Sequence, residues 1–174
     1  IKLIKNLKDN SLKKYLKKEN YDLFVAAGFP HIFNKSYLAL PKFGIINLHA
    51  GKLPKYRGGS PLNWQVIKKK KKIGISIIKL DSKIDQGPII CEKKFNNNKN
   101  DYIDDVHKKV NKFFIKMIDR SIEILEMRKK LKNQKFSKSY FHQRSDKDGI
   151  INFNTNALNV YNFIRALSHP YKGA

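Results

Sequence analysis

The triplet Asn47-Leu48-His49 holds the residue types with the most chemistry in this chain. It closes the apolar run Gly44-Ile45-Ile46, which reads as a buried strand, and side chains two apart on a strand leave the same face. Asn47 and His49 can therefore act on one ligand near the carboxyl end of that strand. A carboxamide donates a hydrogen bond and an imidazole carries a proton, which suits a reaction where charge builds on an oxygen and a proton moves. The plainer alternative is a polar pair that bonds nearby backbone, since Asn-x-His arises easily by chance. Downstream, Leu53-Pro54-Lys55-Tyr56-Arg57-Gly58-Gly59 is a turn-rich loop. A second loop, Lys83-Ile84-Asp85-Gln86-Gly87-Pro88, can bring a carboxylate to His49, although Asp85 also reads as a structural carboxylate before a turn.

Positioning these groups falls to an alternation of strands and helices. Residues 12–18 have helical spacing, and Asp22-Leu23-Phe24-Val25-Ala26-Ala27 is a short apolar run that ends in a turn at Gly28. Ser60 as N-cap and Pro61 at the first helical position predict a helix over 61–70. Residues 73–80 and 88–95 read as strands split by a polar turn over 81–87. The clearest helix comes next, with Ile103, Val106, Val110, Phe113, Phe114, Met117, Ile118, Ile122 and Leu125 at spacings of three and four. Asn100 is its expected cap, with Asp101, Asp104 and Asp105 in the first turn. Residues 129–136 read as a basic connector, and 157–167 as a last helix that stops before Pro170. No internal repeat is visible. The pattern implies an α/β sheet covered on both faces, with ligands beyond the carboxyl ends of its strands.

Composition narrows the function classes. A chain of 174 residues, 41% hydrophobic, can bury one sizeable core, so one domain with a tail is expected. Cys91 is the only cysteine, which rules out an intramolecular disulfide and a cysteine metal cluster and fits a reducing cytoplasm. No apolar run approaches the roughly 20 residues of a membrane helix, and Ile1-Lys2-Leu3-Ile4-Lys5 has no signal-peptide core. A soluble, cytoplasmic protein without a membrane partner is expected, and the absence of an initiating methionine suggests a fragment. The net charge of +23 points toward a polyanion, yet it comes mostly from Lys, with Arg57, Arg120, Arg128, Arg144 and Arg165 the only arginines. Arg, with its fixed fork of donors, is the commoner reader of phosphates and bases, so the excess reads as compositional drift. His107, His142 and His169 read as structural, and Gly58-Gly59-Ser60 lacks the pattern of a phosphate loop.

At Asn47-Leu48-His49-Ala50-Gly51-Lys52-Leu53-Pro54-Lys55-Tyr56-Arg57-Gly58 the sequence resembles the formyltransferases that use 10-formyltetrahydrofolate. Ile84-Asp85-Gln86-Gly87-Pro88 is similar to the Asp-x-Gly-x loop of that family, and the order and spacing agree. The likeness runs from about residue 21 to 130, with a weaker match at Asn162-Phe163-Ile164-Arg165-Ala166-Leu167 and at Pro170-Tyr171-Lys172-Gly173-Ala174. It implies a Rossmann-like formyltransferase fold, a mostly parallel sheet with helices on both faces, whose N-terminal βα units are missing here. Residues 1–130 would be the N-terminally truncated catalytic domain, and 131–174 a connector and the start of a C-terminal region.

The resemblance also implies roles. Asn47, His49 and Asp85 would be catalytic, Asn47 and protonated His49 donating to the oxyanion while Asp85 orients His49 and helps move the amine proton. His31, Ile32, Phe33, Leu80 and Ile84 would bind the folate donor, with no metal required. Lys52, Tyr56, Arg57 and Trp64 would shape the acceptor side. Among acceptors, Tyr56-Arg57-Gly58 departs from the Tyr-Pro-Gly of glycinamide ribonucleotide enzymes, while His49-Ala50-Gly51-Lys52-Leu53-Pro54 and Leu62-Asn63-Trp64 look more like the sugar enzymes than methionyl-tRNA enzymes. A nucleotide-linked amino sugar is therefore favoured over methionyl-tRNA. A catalytically idle RNA-binding module and a hydrolase that releases formate are the rival readings.

Overall fold

The computed structural model describes residues 10–174, so the apolar-basic opening 1–5 lies outside the described residues. In chain order these form α1 (Asn10–Glu19), β1 (Phe24–Ala27), α2 (Lys35–Leu38), β2 (Ile45–His49), β3 (Arg57–Gly58), α3 (Pro61–Ile67), β4 (Lys72–Lys79), β5 (Ile89–Asn96), α4 (Ile103–Glu126), β6 (Tyr140–Phe141), a 3-10 turn (Asp146–Gly149) and α5 (Ala157–Leu167). The α/β class is as expected. The main sheet has the order β1-β2-β4-β5, and β3 pairs with β6 in a separate ribbon.

One part of the expectation is corrected, because the sheet among the described residues is mixed and not mostly parallel. β1 and β2 are parallel, with Phe24 opposite Ile45 and Ala27 opposite Leu48. β2–β4 and β4–β5 are antiparallel. Connection length accounts for two of these pairings: the segment 28–44 carries α2 and is long enough for a parallel crossover, and the short loop 80–88 returns β5 beside β4, whereas the antiparallel β2–β4 pair is joined by the longer segment 50–71, which carries α3.

The core lies on one face of β4. Ile73, Ile75 and Ile77 are fully buried there and share a cluster with Leu62 and Val66 of α3, Ile103, Val106, Val110, Phe114 and Met117 of α4, and Ala166 of α5. Each such aliphatic side chain contributes roughly 1.5–3 kcal/mol on leaving water, so this cluster holds the helices to the sheet. The opposite face is covered by the loop after β2: Leu53 joins Ile78 and Ile89 in a smaller cluster. Buried Ser76 fixes that loop, its Oγ donating to the Gly51 carbonyl at 2.9 Å and accepting from the Leu53 N–H at 3.3 Å. Buried Gln65 adds bonds to the Ala50 carbonyl and to both backbone groups of Gly74.

Helix ends differ from the spacing-based reading in three places. Ser60 sits at φ +47 and makes no side-chain cap; its Oγ instead accepts from the Arg144 N–H at 3.1 Å. α3 stops at Ile67, since Lys68, Lys69 and Lys70 are exposed and bury nothing that would extend it. α4 is capped at Tyr102 and not at Asn100: the Tyr102 N–H donates to Asp105 Oδ2 at 3.0 Å, while Asp101 stays outside and holds Lys109. The segment 129–136 does more than connect, because Lys132 pairs with Ile89 through two backbone bonds of 2.8 and 3.2 Å. Among the described residues no helix is long and apolar enough to cross a membrane.

Candidate active site

β2 delivers Asn47 and His49 to one cleft at its carboxyl end, and the loop after β4 delivers Asp85 to the same cleft. His49 is 5% exposed. Its Nε2 lies 2.5 Å from the Tyr56 carbonyl oxygen, which can only accept, so the proton is on Nε2. Nδ1 faces Asp85 Oδ1 across 3.6 Å, close enough for charge attraction and longer than a hydrogen bond. The ring reaches this place because residue 51 is glycine: a Cβ there would meet His49 Nε2 at 2.5 Å. Asn47 is half-buried, and among the described residues its carboxamide has no hydrogen-bond partner.

Asp85 is held at its side chain and at its backbone. Its Oδ2 accepts from the Gly58 N–H at 2.8 Å. Its own carbonyl accepts from Gln134 Nε2 at 2.9 Å, and the same amide nitrogen donates to the Gly87 carbonyl at 2.7 Å. Asp85 also takes φ +51, a left-handed conformation that a non-glycine residue keeps only when its surroundings enforce it. Gly58 is at φ +95, and a Cβ there would collide with the Phe141 carbonyl oxygen, so β6 can approach β3 only past a glycine.

The cleft has a volume of about 690 Å³. All five residues expected to contact folate, His31, Ile32, Phe33, Leu80 and Ile84, line it. Ile32 and Ile84 are 64% and 44% exposed, an apolar surface that solvated side chains do not account for and that a flat ring would cover. Phe29 stacks on Phe33 with centroids 4.7 Å apart, which stiffens the segment 29–33 although it belongs to no helix or strand. Among the described residues no three His, Cys, Asp or Glu side chains group as metal ligands do.

Lys52, Tyr56, Arg57 and Trp64 are not among the residues that line the cleft. Each has a partner elsewhere. Lys52 runs across Gly74 to an ion pair with Glu92. Tyr56 is buried and stacks on Phe141, and burial pushes its phenol up from the usual value. Buried Arg57 gives Nε and Nη2 to Gln134 Oε1 at 3.2 and 2.8 Å and Nη1 to the Ser137 carbonyl at 3.1 Å. Trp64 Nε1 donates to the His142 carbonyl at 3.1 Å, with the Arg144 guanidinium 5.0 Å from the ring centroid. Long and aromatic side chains suit a ligand, which is why the sequence points to these four, but the same properties serve loop packing equally well.

Sequence reasoning passes over Tyr140 and Gln143, which do line the cleft, and Gln134, which ties its Asp85 side together. No spacing or composition signal marks them, since they arrive from the connector or from a loop tip.

A family model described as formyl transferase matches residues 4–122. The bifunctional polymyxin resistance protein ArnA of Wigglesworthia glossinidia brevipalpis is 35% identical over 178 residues, covering 98% of this chain and 26% of its own length. The methionyl-tRNA formyltransferase of Malacoplasma penetrans is 32% identical over 170 residues, covering 97% of this chain and 54% of its own. The chain thus spans about half the length, or less, of these curated relatives. Among solved structures, the N-formyltransferase from Helicobacter canadensis, in complex with folinic acid and dTDP-3-aminofucose, has a TM-score of 0.72 over 86% of this chain and 57% of its own. Its identity of 24% makes that a likeness of fold.

Proposed function

The chain belongs to the formyl transferase family, and from that premise we propose that it carries the reacting centre of an N-formyltransferase, which moves a formyl group from 10-formyltetrahydrofolate to an amine. The observation that carries this reading is the meeting of Asn47, His49 and Asp85 in one cleft, with the Asn47 carboxamide unpartnered among the described residues. The folate donor supplies the activated formyl group. Ile32, Phe33 and Ile84 are placed to hold its ring by apolar contact, and Leu80 lines the way between them and Asp85.

Attack of a neutral amine on a formyl carbon puts negative charge on the formyl oxygen and positive charge on the nitrogen. Asn47 Nδ2 is the donor for that oxygen, in a half-buried site where such a bond counts for more than in water. His49 presents its protonated Nε2 edge on the Tyr56 side and turns Nδ1 to Asp85. Donation from His49 to the substrate oxygen requires Nε2 to leave the Tyr56 carbonyl for it. Asp85, at 9% exposure, supplies the negative charge that steadies the ring and moves the proton that the amine loses to the folate nitrogen, which leaves as the tetrahedral intermediate collapses and its bond to the formyl carbon breaks.

For the acceptor we favour a nucleotide-linked amino sugar. The sugar-enzyme likeness of His49-Ala50-Gly51-Lys52-Leu53-Pro54 supports it. The methionyl-tRNA formyltransferase relative at 32% identity keeps methionyl-tRNA as the second reading. The residues 1–130 would form the catalytic region, and 131–174 a connector and the start of a C-terminal region. The test is to give the full-length protein 10-formyltetrahydrofolate with a dTDP-linked amino sugar and measure the new formamide. Formate release at the same rate with and without acceptor would make it a hydrolase, and neither product would leave a binding protein.

A further inference from the structure

We infer that Gln134 is a positioning residue for Asp85, and that the buried Arg57 guanidinium holds Gln134 to that task. The inference rests on the reading of Asp85 as the carboxylate that acts on His49 during formyl transfer. The geometry is that of a fully used amide. Gln134 Nε2 spends its two N–H bonds on the carbonyls of Asp85 and Gly87, at 2.9 and 2.7 Å, and Oε1 receives two bonds from Arg57. Asp85 needs such a hold because its backbone is left-handed at φ +51. Arg57 and Gly58 are neighbours in β3, and the Gly58 N–H grips the Asp85 carboxylate. One short strand therefore fixes Asp85 twice, directly through Gly58 and indirectly through Arg57 and Gln134. Neither Arg57 nor Gln134 lines the cleft, so neither touches a ligand there.

A residue that acts only through Asp85 has a distinctive signature: its loss lowers turnover without weakening binding, and it has nothing further to lose once the Asp85 carboxylate is gone. The experiment is a double-mutant cycle in the full-length protein with Gln134→Met, which keeps the length of the side chain and removes its hydrogen bonds, and Asp85→Asn. Q134M is expected to lower kcat at least tenfold with KM for 10-formyltetrahydrofolate within threefold, and to change kcat less than twofold in the D85N background. An unchanged kcat in Q134M, or effects that multiply independently in the double variant, overturns the inference. If Q134M does not fold, Arg57→Lys, which keeps the charge without the two parallel N–H donors, is judged by the same two criteria. Full kcat in D85N removes the reading of the site itself and the inference with it, whereas a crippled D85N beside an unaffected Q134M overturns the inference alone.

Discussion

His49 Nε2 donates to the Tyr56 carbonyl at 2.5 Å while Nδ1 looks toward Asp85 Oδ1 at 3.6 Å. The imidazole is therefore gripped by the loop 50–58 on one side and by the loop 80–88 on the other, and it is the point where the two loops meet. Asn47, two residues earlier on β2, has no such grip among the described residues. The two polar side chains of the same triplet thus differ in readiness: the carboxamide is available to a ligand at once, and the imidazole must exchange a partner.

That difference predicts how the variants separate. Asn47→Ala in the full-length protein is expected to lower kcat about 10²–10³-fold, the usual loss when one donor to a developing oxyanion is removed. His49→Ala should lower kcat by a similar order, about 10²–10⁴-fold, with folate affinity kept within a few fold, because the imidazole is assigned to the reacting formyl group and the folate ring to Ile32 and Ile84. Stopped turnover together with equilibrium folate binding measures this. Parallel loss of both quantities in H49A would make His49 a structural residue.

Glycine at position 58 is required by space and not by backbone angle alone. Gly28 and Gly58 both take positive φ, but a Cβ at Gly28 meets nothing within 4 Å, whereas one at Gly58 collides with the Phe141 carbonyl oxygen. Gly28→Ala is expected to cost about 1–2 kcal/mol, the left-handed penalty by itself. Gly58→Ala should cost more than that and also slow transfer, since the Gly58 N–H carries Asp85. Thermal melts of the two variants side by side check the first part, and equal melting temperatures would remove the packing argument.

The elements themselves are legible in the sequence because each carries its own period. The long helix α4 is visible in Ile103, Val106, Val110, Phe114 and Met117, all of which are buried, and β2 in the apolar run that ends at His49. The meeting of Asn47, His49 and Asp85 is legible through motif order. What escapes the sequence depends on long-range pairing. Gln134 sits in a lysine-rich stretch with no periodicity, and its partners Asp85 and Arg57 lie 49 and 77 residues away. Ser60 before Pro61 has the composition of a cap, yet Arg144, 84 residues on, claims its hydroxyl. The antiparallel pairing of β4 with β5 stems from the shortness of the loop 80–88, a length that the polar turn already displays, whereas that of β2 with β4 spans the long segment 50–71 and has no such signal.

Glu92 ties the loop 50–58 to β5 through Lys52 and is also bonded by Lys132 at 3.1 Å. Burial alone would push its carboxyl up, but the hydrogen bonds and charges of the two lysines outweigh that and hold it below the usual value. A carboxyl lowered in the folded state contributes stability above its unfolded value, near 4.3, and loses it as the pH falls through the folded one. Glu92→Gln is therefore expected to lower Tm by about 2–4 °C at pH 7, if the partly exposed pair contributes on the order of 1 kcal/mol. The gap should narrow as the pH falls below the unfolded value and close once it has passed through the lowered folded one, where both proteins lack the charge. A gap that persists unchanged at pH 3 in thermal melts would show that the carboxylate charge is not what stabilises the loop.

The acceptor preference does not rest on Lys52, Tyr56, Arg57 and Trp64, since each is occupied in holding loops together. Besides the motif likeness, the size of the cleft and its lining support it. A volume of about 690 Å³ lies in the range of small-molecule sites, and Lys83, Tyr140 and Gln143 add a cation, an aromatic ring and an amide to its lining. Those groups suit a diphosphate and a sugar ring. Methionyl-tRNA would instead lean on lysines outside the cleft, of which Lys68, Lys69, Lys70, Lys71 and Lys72 form an exposed run. The two acceptors therefore differ in salt response as well as in rate, because a nucleic acid held by many lysines loses affinity steeply as salt rises. With the full-length protein, a dTDP-linked amino sugar is expected to exceed methionyl-tRNA in kcat/KM by more than about tenfold, roughly 1.4 kcal/mol in transition-state binding, with a shallow salt dependence. Lys83→Ala should then raise KM for the nucleotide sugar several fold and leave methionyl-tRNA unaffected. A preference of more than about tenfold for methionyl-tRNA, with KM climbing steeply between about 50 and 200 mM salt, would transfer the acceptor role to tRNA and leave the chemistry at Asn47, His49 and Asp85 as proposed.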